Sequence, residues 1–327
     1  MSLFSTTEIN ELTRVAGVQV GVNPQLGRVL IADSLRSAHN FLIQNPKRLS
    51  EALNGRHSIN KKCKFSSSWA GMPKEFKQHT HAELFEEVGR FTNNDANMSR
   101  VEEAVGEAIK ALELETPVSV NKWTHRAGNI STARIFDGRE NFMRRRQRVA
   151  GIKPVIGLGI TIMANGGVSA EVCGMRAIIA TVAAEILSSR GYPVAVYSIE
   201  AGYGASNHNP QPLGTSVRIH NANHNIICTQ IKGVNENYSR SNILNGLSAW
   251  YFRNITFSLI AANAGPTASS SYGGSKDLTP ADEAALGGLL GVENFTMMQY
   301  RPESSNFANE LKLAIEALVR DILNRYN

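Results

Sequence analysis

Cysteine is scarce: the 327-residue chain has three, Cys63, Cys173 and Cys228. They are odd in number and far apart, whereas a disulfide framework or a zinc knuckle needs pairs at short spacing. Cys173 and Cys228 therefore read as small buried apolar groups in a reducing compartment. Long apolar runs are lacking too. The most apolar helical stretch, Ala177 to Leu187, is too short to span a bilayer and carries Glu185, so no membrane association is expected. The opening Met1-Ser2-Leu3-Phe4-Ser5-Thr6-Thr7-Glu8 has no basic start followed by an apolar core, so no signal peptide is expected and the cytoplasm is the expected location.

Signatures of catalysis and cofactor binding are also missing. A dinucleotide fingerprint needs G-x-G-x-x-G at a strand-to-helix turn, where the backbone meets a pyrophosphate at a helix N-terminus. Gly157-Leu158-Gly159 lies inside an apolar run instead, and the third position is Ile162. Those glycines read as room for a helix to pack on a strand. The turn Asn165-Gly166-Gly167-Val168-Ser169 has no Gly-Lys-Ser/Thr, and no Gly-x-Ser-x-Gly elbow occurs. His79 and His81 lie near Glu83, and His220 and His224 flank a turn, but neither group has the third ligand that zinc needs. No cofactor, no metal and no catalytic activity are expected.

What the chain does have is segregated charge. The net charge is +6, a pointer to polyanions. From Pro117 to Lys153 there are nine Lys/Arg against Asp137 and Glu140, and from Pro46 to Lys64 six against Glu51. Between them, His81 to Glu115 holds nine carboxylates against Arg90, Arg100 and Lys110. The first basic segment interleaves Trp123, Phe136 and Phe142 with Lys122, Arg126, Arg134, Arg139, Arg144, Arg145, Arg146 and Arg148. Lys and Arg release the counterions condensed on phosphates, and flat aromatic faces stack on unpaired bases at about 1–3 kcal/mol each. Duplex bases are already stacked, so the mixture suits a single strand. Lys61, Lys62 and Lys64 extend the expected interface. The competing reading is neutralisation of these cations by the acidic helices of the same or a neighbouring chain, or a plain solvated face.

Three regions follow: a helical, charge-segregated part over 1–116, a basic connecting segment over 117–150, and an α/β domain over 151–327. In the first, Glu8 to Val15 and Gln25 to Ile43 read as helices, stopped by Asn45-Pro46. Ala82–Phe91 and Ser99–Leu114 read as amphipathic helices, with Ser99 near the start of the latter as a cap. Residues 117–150 match neither helix nor strand. In the last region, Pro154–Ala164 and Tyr192–Ile199 are apolar runs suited to doubly covered strands, joined by a helix capped at Ser169. Further strands are expected at Val217–His220, Asn225–Ile231, Ile255–Ala262 and Thr296–Tyr300. Helices are expected at Ser241–Tyr251, after Thr279-Pro280, and over Phe307–Tyr326. Alternation of this kind predicts a Rossmann-like α/β layered sheet.

Two stretches carry a resemblance. One is Trp123 followed by Phe136-Asp137-Gly138-Arg139-Glu140-Asn141-Phe142-Met143. The other is Val155 to Val196, with Gly166-Gly167-Val168-Ser169-Ala170-Glu171, Arg176 and Gly191-Tyr192-Pro193-Val194. Over residues 120–265 the chain resembles an uncharacterised bacteriophage family whose C-terminal half is similar to a von Willebrand factor A domain. The resemblance implies a Rossmann-like sheet. A metal-binding A domain would end its first strand with Asp-x-Ser-x-Ser; here Asn165 replaces the leading aspartate, which argues against a Mg²⁺ site. In size and basic composition the chain is also similar to the single-stranded-DNA-binding RNA polymerase cofactors of Schitoviridae-type phages. That likeness implies holding melted promoter DNA and recruiting the phage RNA polymerase.

The expectation is a non-enzymatic single-stranded-DNA-binding protein that assembles as a homo-oligomer, acidic helices of one chain meeting basic segments of another. The alternatives are a von Willebrand A-like adaptor for another protein, such as an AAA+ ATPase, and an enzyme in the crevice near Asn165–Ser169 and Gly202–Asn209. The enzyme would use Glu200, His208 or His220, and convergent polar groups with perturbed pKa values there would favour it.

Overall fold

The Asn23-Pro24-Gln25-Leu26-Gly27 turn lies near the start of the described part of the chain. Asn23 Oδ1 accepts hydrogen bonds from the backbone N–H of Gln25 (2.9 Å) and Leu26 (3.0 Å). Gly27 takes φ 79°, a value that favours glycine. Two strands meet across this turn. The protein was analysed as a computed structural model that describes residues 13–15, 17–44, 83, 95–111, 120–124, 129–130, 143–147, 153–161, 170–203, 224–236, 239–264, 277–298 and 307–326.

The described strands and helices, in chain order, begin with β1 (Thr13–Val15), β2 (Val18–Asn23), β3 (Gly27–Ala32), α1 (Leu35–Gln44) and α2 (Asp95–Ala111). Next come β4 (Val120–Thr124), β5 (Asn129–Ile130), β6 (Met143–Gln147), β7 (Ile156–Thr161), α3 (Ala170–Ser189), β8 (Val194–Tyr203) and β9 (His224–Lys232). Then follow α4 (Arg240–Gly246), α5 (Ala249–Tyr251), a π-helical turn (Phe252–Thr256), α6 (Phe257–Ala264), α7 (Pro280–Leu290), β10 (Asn294–Met298) and α8 (Phe307–Tyr326).

Seven strands form one mixed sheet in the order β1-β2-β3-β9-β8-β7-β10. The pairs β3/β9, β7/β8 and β7/β10 are parallel, while β1/β2, β2/β3 and β8/β9 are antiparallel. β7–α3–β8 is the crossover unit that the apolar runs predict. Helices cover both faces. One face buries Ile156, Leu158, Val194 and Val196 against α3, α2 and α8; the other buries Ala195, Tyr197, Ile199 and Phe295 against α7. The architecture is a mixed α/β fold compatible with a Rossmann-like layered arrangement.

Three expectations are corrected. Residues 13–15, 18–23 and 27–32 are strands and not helix, and residues 8–12 of the expected first helix lie outside the described residues. Among these N-terminal described residues helix begins at Leu35, after Ser34, whose Oγ accepts from Ser37 N–H at 3.0 Å. Leu26, Val29, Leu30 and Ala32 fit either period, and the turn at Gly27 with β-branched Val29 and Ile31 decides for the strand. Ile255–Ala262 is not a strand. An apolar run of eight residues does not distinguish buried helix from buried strand, and here it forms the end of the π-helical turn and most of α6. Residues 117–150, expected to be irregular, contain β4, β5 and β6, which form a second sheet in the order β4-β6-β5. In addition, α2 starts at Asp95, so Ser99 lies within the helix and is not its cap. The expected helix Ala82–Phe91, apart from the helical Glu83, and the strand Val217–His220 lie outside the described residues.

Gly157 and Gly159 are explained by packing on the strand, but the close neighbours differ from those expected. A Cβ at Gly157 would lie 2.8 Å from Phe295 Cδ2 and 2.8 Å from Val292 Cγ1. Gly287 on α7 meets the same side chain, with a Cβ there 2.9 Å from Phe295 Cβ. The Phe295 side chain thus occupies space that side chains at Gly157, Gly159 and Gly287 would need, and it locks α7 and β10 onto β7. The cap of α7 matches the sequence reading. Thr279 Oγ1 accepts from Asp282 N–H, Asp282 Oδ2 accepts from Thr279 N–H at 2.9 Å, and Pro280 opens the helix.

Gly157→Ala is expected to destabilise the fold by about 1–3 kcal/mol, because the added methyl overpacks against Phe295. Gly106→Ala, exposed in α2 with nothing within 4 Å of the added methyl, is expected to stabilise it by about 0.5–1 kcal/mol. Urea unfolding midpoints of the two variants test both; a neutral Gly157→Ala would remove the wedge from this account.

Candidate functional site

The basic segment becomes ordered around β6, Met143-Arg144-Arg145-Arg146-Gln147. As the central strand of the small sheet it has two antiparallel neighbours. Its register against β4 pairs Trp123 with Arg144, Lys122 with Arg145 and Asn121 with Arg146; β5 adds Asn129 opposite Arg144. Four cationic residues and an indole residue therefore occupy adjacent positions of one ladder. Like charges directly opposite each other disfavour strand pairing, and this sheet sets Lys122 opposite Arg145. Of the residues predicted for the interface, these five (Lys122, Trp123, Arg144, Arg145 and Arg146) are brought together. Arg126, Arg134, Phe136, Arg139, Phe142, Arg148, Lys61, Lys62 and Lys64 lie outside the described residues. Lys153, from the same basic stretch, is already engaged, its Nζ lying 4.0 Å from the centre of the Tyr192 ring.

A second constellation lies where β7 ends. Thr161, the last residue of β7, pairs with Ile199, so Glu200 is the first β8 residue beyond that pairing. Strand alternation places Glu200 on the face of Val194 and Val196, the face covered by α3. Cys173 and Arg176, one turn apart on α3, meet it there, and Arg176 Nη1 donates to Thr161 O at 3.2 Å. The π-helical turn supplies Arg253. Such a turn carries one residue more than an α-turn, and Phe252, Arg253, Ile255 and Thr256 are all buried. Glu200 is 0 %, Arg253 1 %, Cys173 3 % and Arg176 4 % exposed, so the whole cluster is closed to bulk water.

Burial sets its electrostatics. Desolvation pushes the Glu200 carboxyl well above its ordinary range, an effect that neighbouring Arg176 only partly offsets. Burial likewise pushes the Cys173 thiol up against the pull of Arg253 and Arg176, and pushes the Arg253 guanidinium down. Neither oxygen of Glu200 has a hydrogen-bond partner. Perturbed groups of this sort cluster at functional sites, and this is the convergence that would favour an enzyme. Its chemistry is limited, however: a protonated thiol is a poor nucleophile. Both Cys173 and Cys228 are buried free thiols, as the sequence predicts. Arg253 was missed; the signal was a lone charge inside the apolar Trp250-Tyr251-Phe252-Arg253-Asn254-Ile255 run.

Among the described residues no three His, Cys, Asp or Glu side chains converge on a metal position. Of the histidines, His224 opens β9, whereas His79, His81, His208 and His220 lie outside the described residues. No described helix is long and apolar enough to cross a membrane. Glu102 of the acidic helix α2 is paired within the chain: Arg240 Nη1 lies 3.0 Å from it, while its other nitrogens clamp Glu185 at 2.6 and 2.7 Å. None of these ion pairs uses the basic ladder.

A family model described as "Domain of unknown function (DUF7192)" matches residues 28–323, from β3 to α8. The chain belongs to that family. No curated protein and no solved structure matches it.

Glu200→Gln tests the electrostatics of the buried cluster. A carboxyl raised on folding keeps its proton in the folded state while the unfolded chain ionises near pH 4.5. Below that pH both states are protonated; above it, wild-type stability falls as pH rises, by at most about 1.4 kcal/mol per unit, until the folded group ionises. Urea unfolding at pH 5, 6 and 7 should therefore show the variant gaining on wild type at each step. A constant difference across that range would mean that Glu200 is ionised and paired in the folded protein.

Proposed function

We propose that this family member binds single-stranded nucleic acid, DNA in the first place, through the β4-β6-β5 sheet and without catalysis. The register Trp123/Arg144, Lys122/Arg145 and Asn121/Arg146 carries the reading. It supports an electrostatic track beside an aromatic platform, the combination by which single strands are held without sequence readout. A β-sheet presenting aromatic and basic positions is also a common way to meet unstacked bases. The unusual concentration of like charge on one short strand has an explanation in this reading, because a polyanion relieves the repulsion that the bare ladder carries. In the wider form of the proposal the protein works in the cytoplasm of a phage-infected host, as a transcription cofactor holding melted DNA for a phage RNA polymerase. Copies of the chain associate through the exposed acidic side of α2, where Glu103 and Glu107 are exposed.

A second reading, a von Willebrand A-like adaptor for another protein, is favoured by the β7–α3–β8 crossover within a sheet layered by helices. In it the partner meets the carboxyl ends of β7 and β8, and nucleic acid plays no part.

Fluorescence anisotropy of a labelled single-stranded oligonucleotide, compared with its duplex at two salt concentrations, separates the two readings. Tighter binding of the single strand, weakening steeply with salt and falling at least about tenfold in Arg144/Arg145/Arg146→Ala, is the expected outcome. No binding at low salt would sink the nucleic-acid reading and leave the adaptor.

A further inference from the structure

The small sheet has two chemically different faces, and the register assigns every described position to one of them. Side chains alternate along a strand, and directly paired positions share a face. Positions 120, 122, 124, 130, 143, 145 and 147 therefore belong to one face: Val120, Lys122, Thr124, Ile130, Met143, Arg145 and Gln147. Positions 121, 123, 129, 144 and 146 belong to the other: Asn121, Trp123, Asn129, Arg144 and Arg146. All the aliphatic residues of the sheet, Val120, Ile130 and Met143, fall on the first face, and it contains no aromatic residue. The second face has one apolar residue, Trp123, set among two amides and two guanidinium groups.

An antiparallel sheet commonly packs one face and wets the other. The aliphatic residues give the first face the composition of a packing face, and Lys122 and Arg145 belong to it by register. The second face sets one indole residue among two arginines and two amides by register, a composition suited to a flat, unpaired, anionic ligand. Arg144 and Arg146 are two residues apart on one strand, about 7 Å, which is on the order of one nucleotide repeat of a stretched backbone. Trp123 is the ladder partner of Arg144 and so sits beside that line.

Resting on the proposed nucleic-acid function, we infer that the face carrying Asn121, Trp123, Asn129, Arg144 and Arg146 is the binding face. It takes an extended single strand, with a base stacked at Trp123 and successive phosphates at Arg144 and Arg146. Lys122 and Arg145 stand behind it and contribute only through long-range charge.

Two double variants of identical charge change separate the faces. Using the full chain and a labelled oligo-dT of about twelve nucleotides, a length within the usual site sizes, Arg144→Ala/Arg146→Ala should lower affinity at least about tenfold and reduce the salt slope by about 1.4. Lys122→Ala/Arg145→Ala, which removes only long-range charge, should lower affinity by a clearly smaller factor, about threefold. Trp123→Ala should cost about tenfold or more at unchanged salt slope, and Trp123→Phe should restore most of the loss; circular dichroism of each variant controls for folding. Equal losses in the two double variants would overturn the face assignment while leaving single-strand binding in place. Competition by inorganic polyphosphate as effective as by oligonucleotide, with Trp123→Ala silent, would overturn it in favour of a plain cationic patch. Absence of binding by wild type, or binding that neither double variant alters, would overturn the functional reading together with the face.

Discussion

The main sheet is covered on both faces, and that fact governs the rest of the molecule. A charge placed in such an interior must be matched there, since water is not present to solvate it. Asp282, with no exposed surface, is matched by the Thr279 backbone at the start of α7 and by Gln25 Nε2 at 2.8 Å, which ties that helix to the turn between β2 and β3. Lys232 is matched at the end of β9, donating to the carbonyls of Val194 and Gly233 at 2.6 and 3.0 Å. Arg240 joins α4 to Glu185 on α3 by two parallel bonds. Asp282–Gln25, Lys232–Val194 and Arg240–Glu185 each join elements distant in sequence, so these charges serve as fasteners. Glu200 is the contrast. It has no hydrogen bond at either oxygen, and it meets Arg176 only through space.

The same double coverage explains which elements the sequence disclosed. β7, β8 and α3 were legible because a doubly covered strand is apolar at every position, as in Val194-Ala195-Val196-Tyr197, and the helix between them has a polar cap and a glycine stop. α7 was legible from Thr279-Pro280, and α8 from an uninterrupted amphipathic period. β2 and β3 were not, because Val18 to Ala32 is short and alternates only weakly, and Leu26 to Ala32 imitates a helical stripe. Ile255 to Ala262 failed for the opposite reason. It is apolar all round because α6 is buried, and burial erases the period that would have identified a helix. Gly157-Leu158-Gly159 lies inside β7, and what fills the space beside it, the Phe295 ring, comes from a residue 136 or more positions further on in the sequence, beyond the reach of local pattern.

Legibility of the two candidate sites differs in kind. The basic ladder was visible as composition: Arg144-Arg145-Arg146 and Lys122-Trp123 are conspicuous in any reading. Composition did not reveal that they are strand neighbours, since a run of three arginines has no β signature. Register is what converts a list of cations into two faces with different residues. The buried cluster was visible only in part. Glu200 could be named because a lone carboxylate ends an apolar strand, but Cys173, Arg176 and Arg253 come together through a crossover and a π-helical turn, neither of which local sequence specifies.

These two sites also divide the work that each can do. At Glu200, Arg176, Cys173 and Arg253 the charged atoms are sealed beneath a helix and a strand end, at exposures of 4 % or less. A macromolecule cannot reach them without displacing packed elements, and burial disfavours the charged forms of the Cys173 thiol and the Glu200 carboxyl. That arrangement is suited to fixing how α3 seats on β7, which Arg176 does directly through the Thr161 carbonyl. The small sheet differs in composition: it has few aliphatic residues, and its ladder sets Lys122 opposite Arg145, a like-charge pair that disfavours strand pairing. A layered fold held together by matched charges needs no such excess for its own stability, which is why the proposed function assigns the charge on β4 and β6 to a bound polyanion.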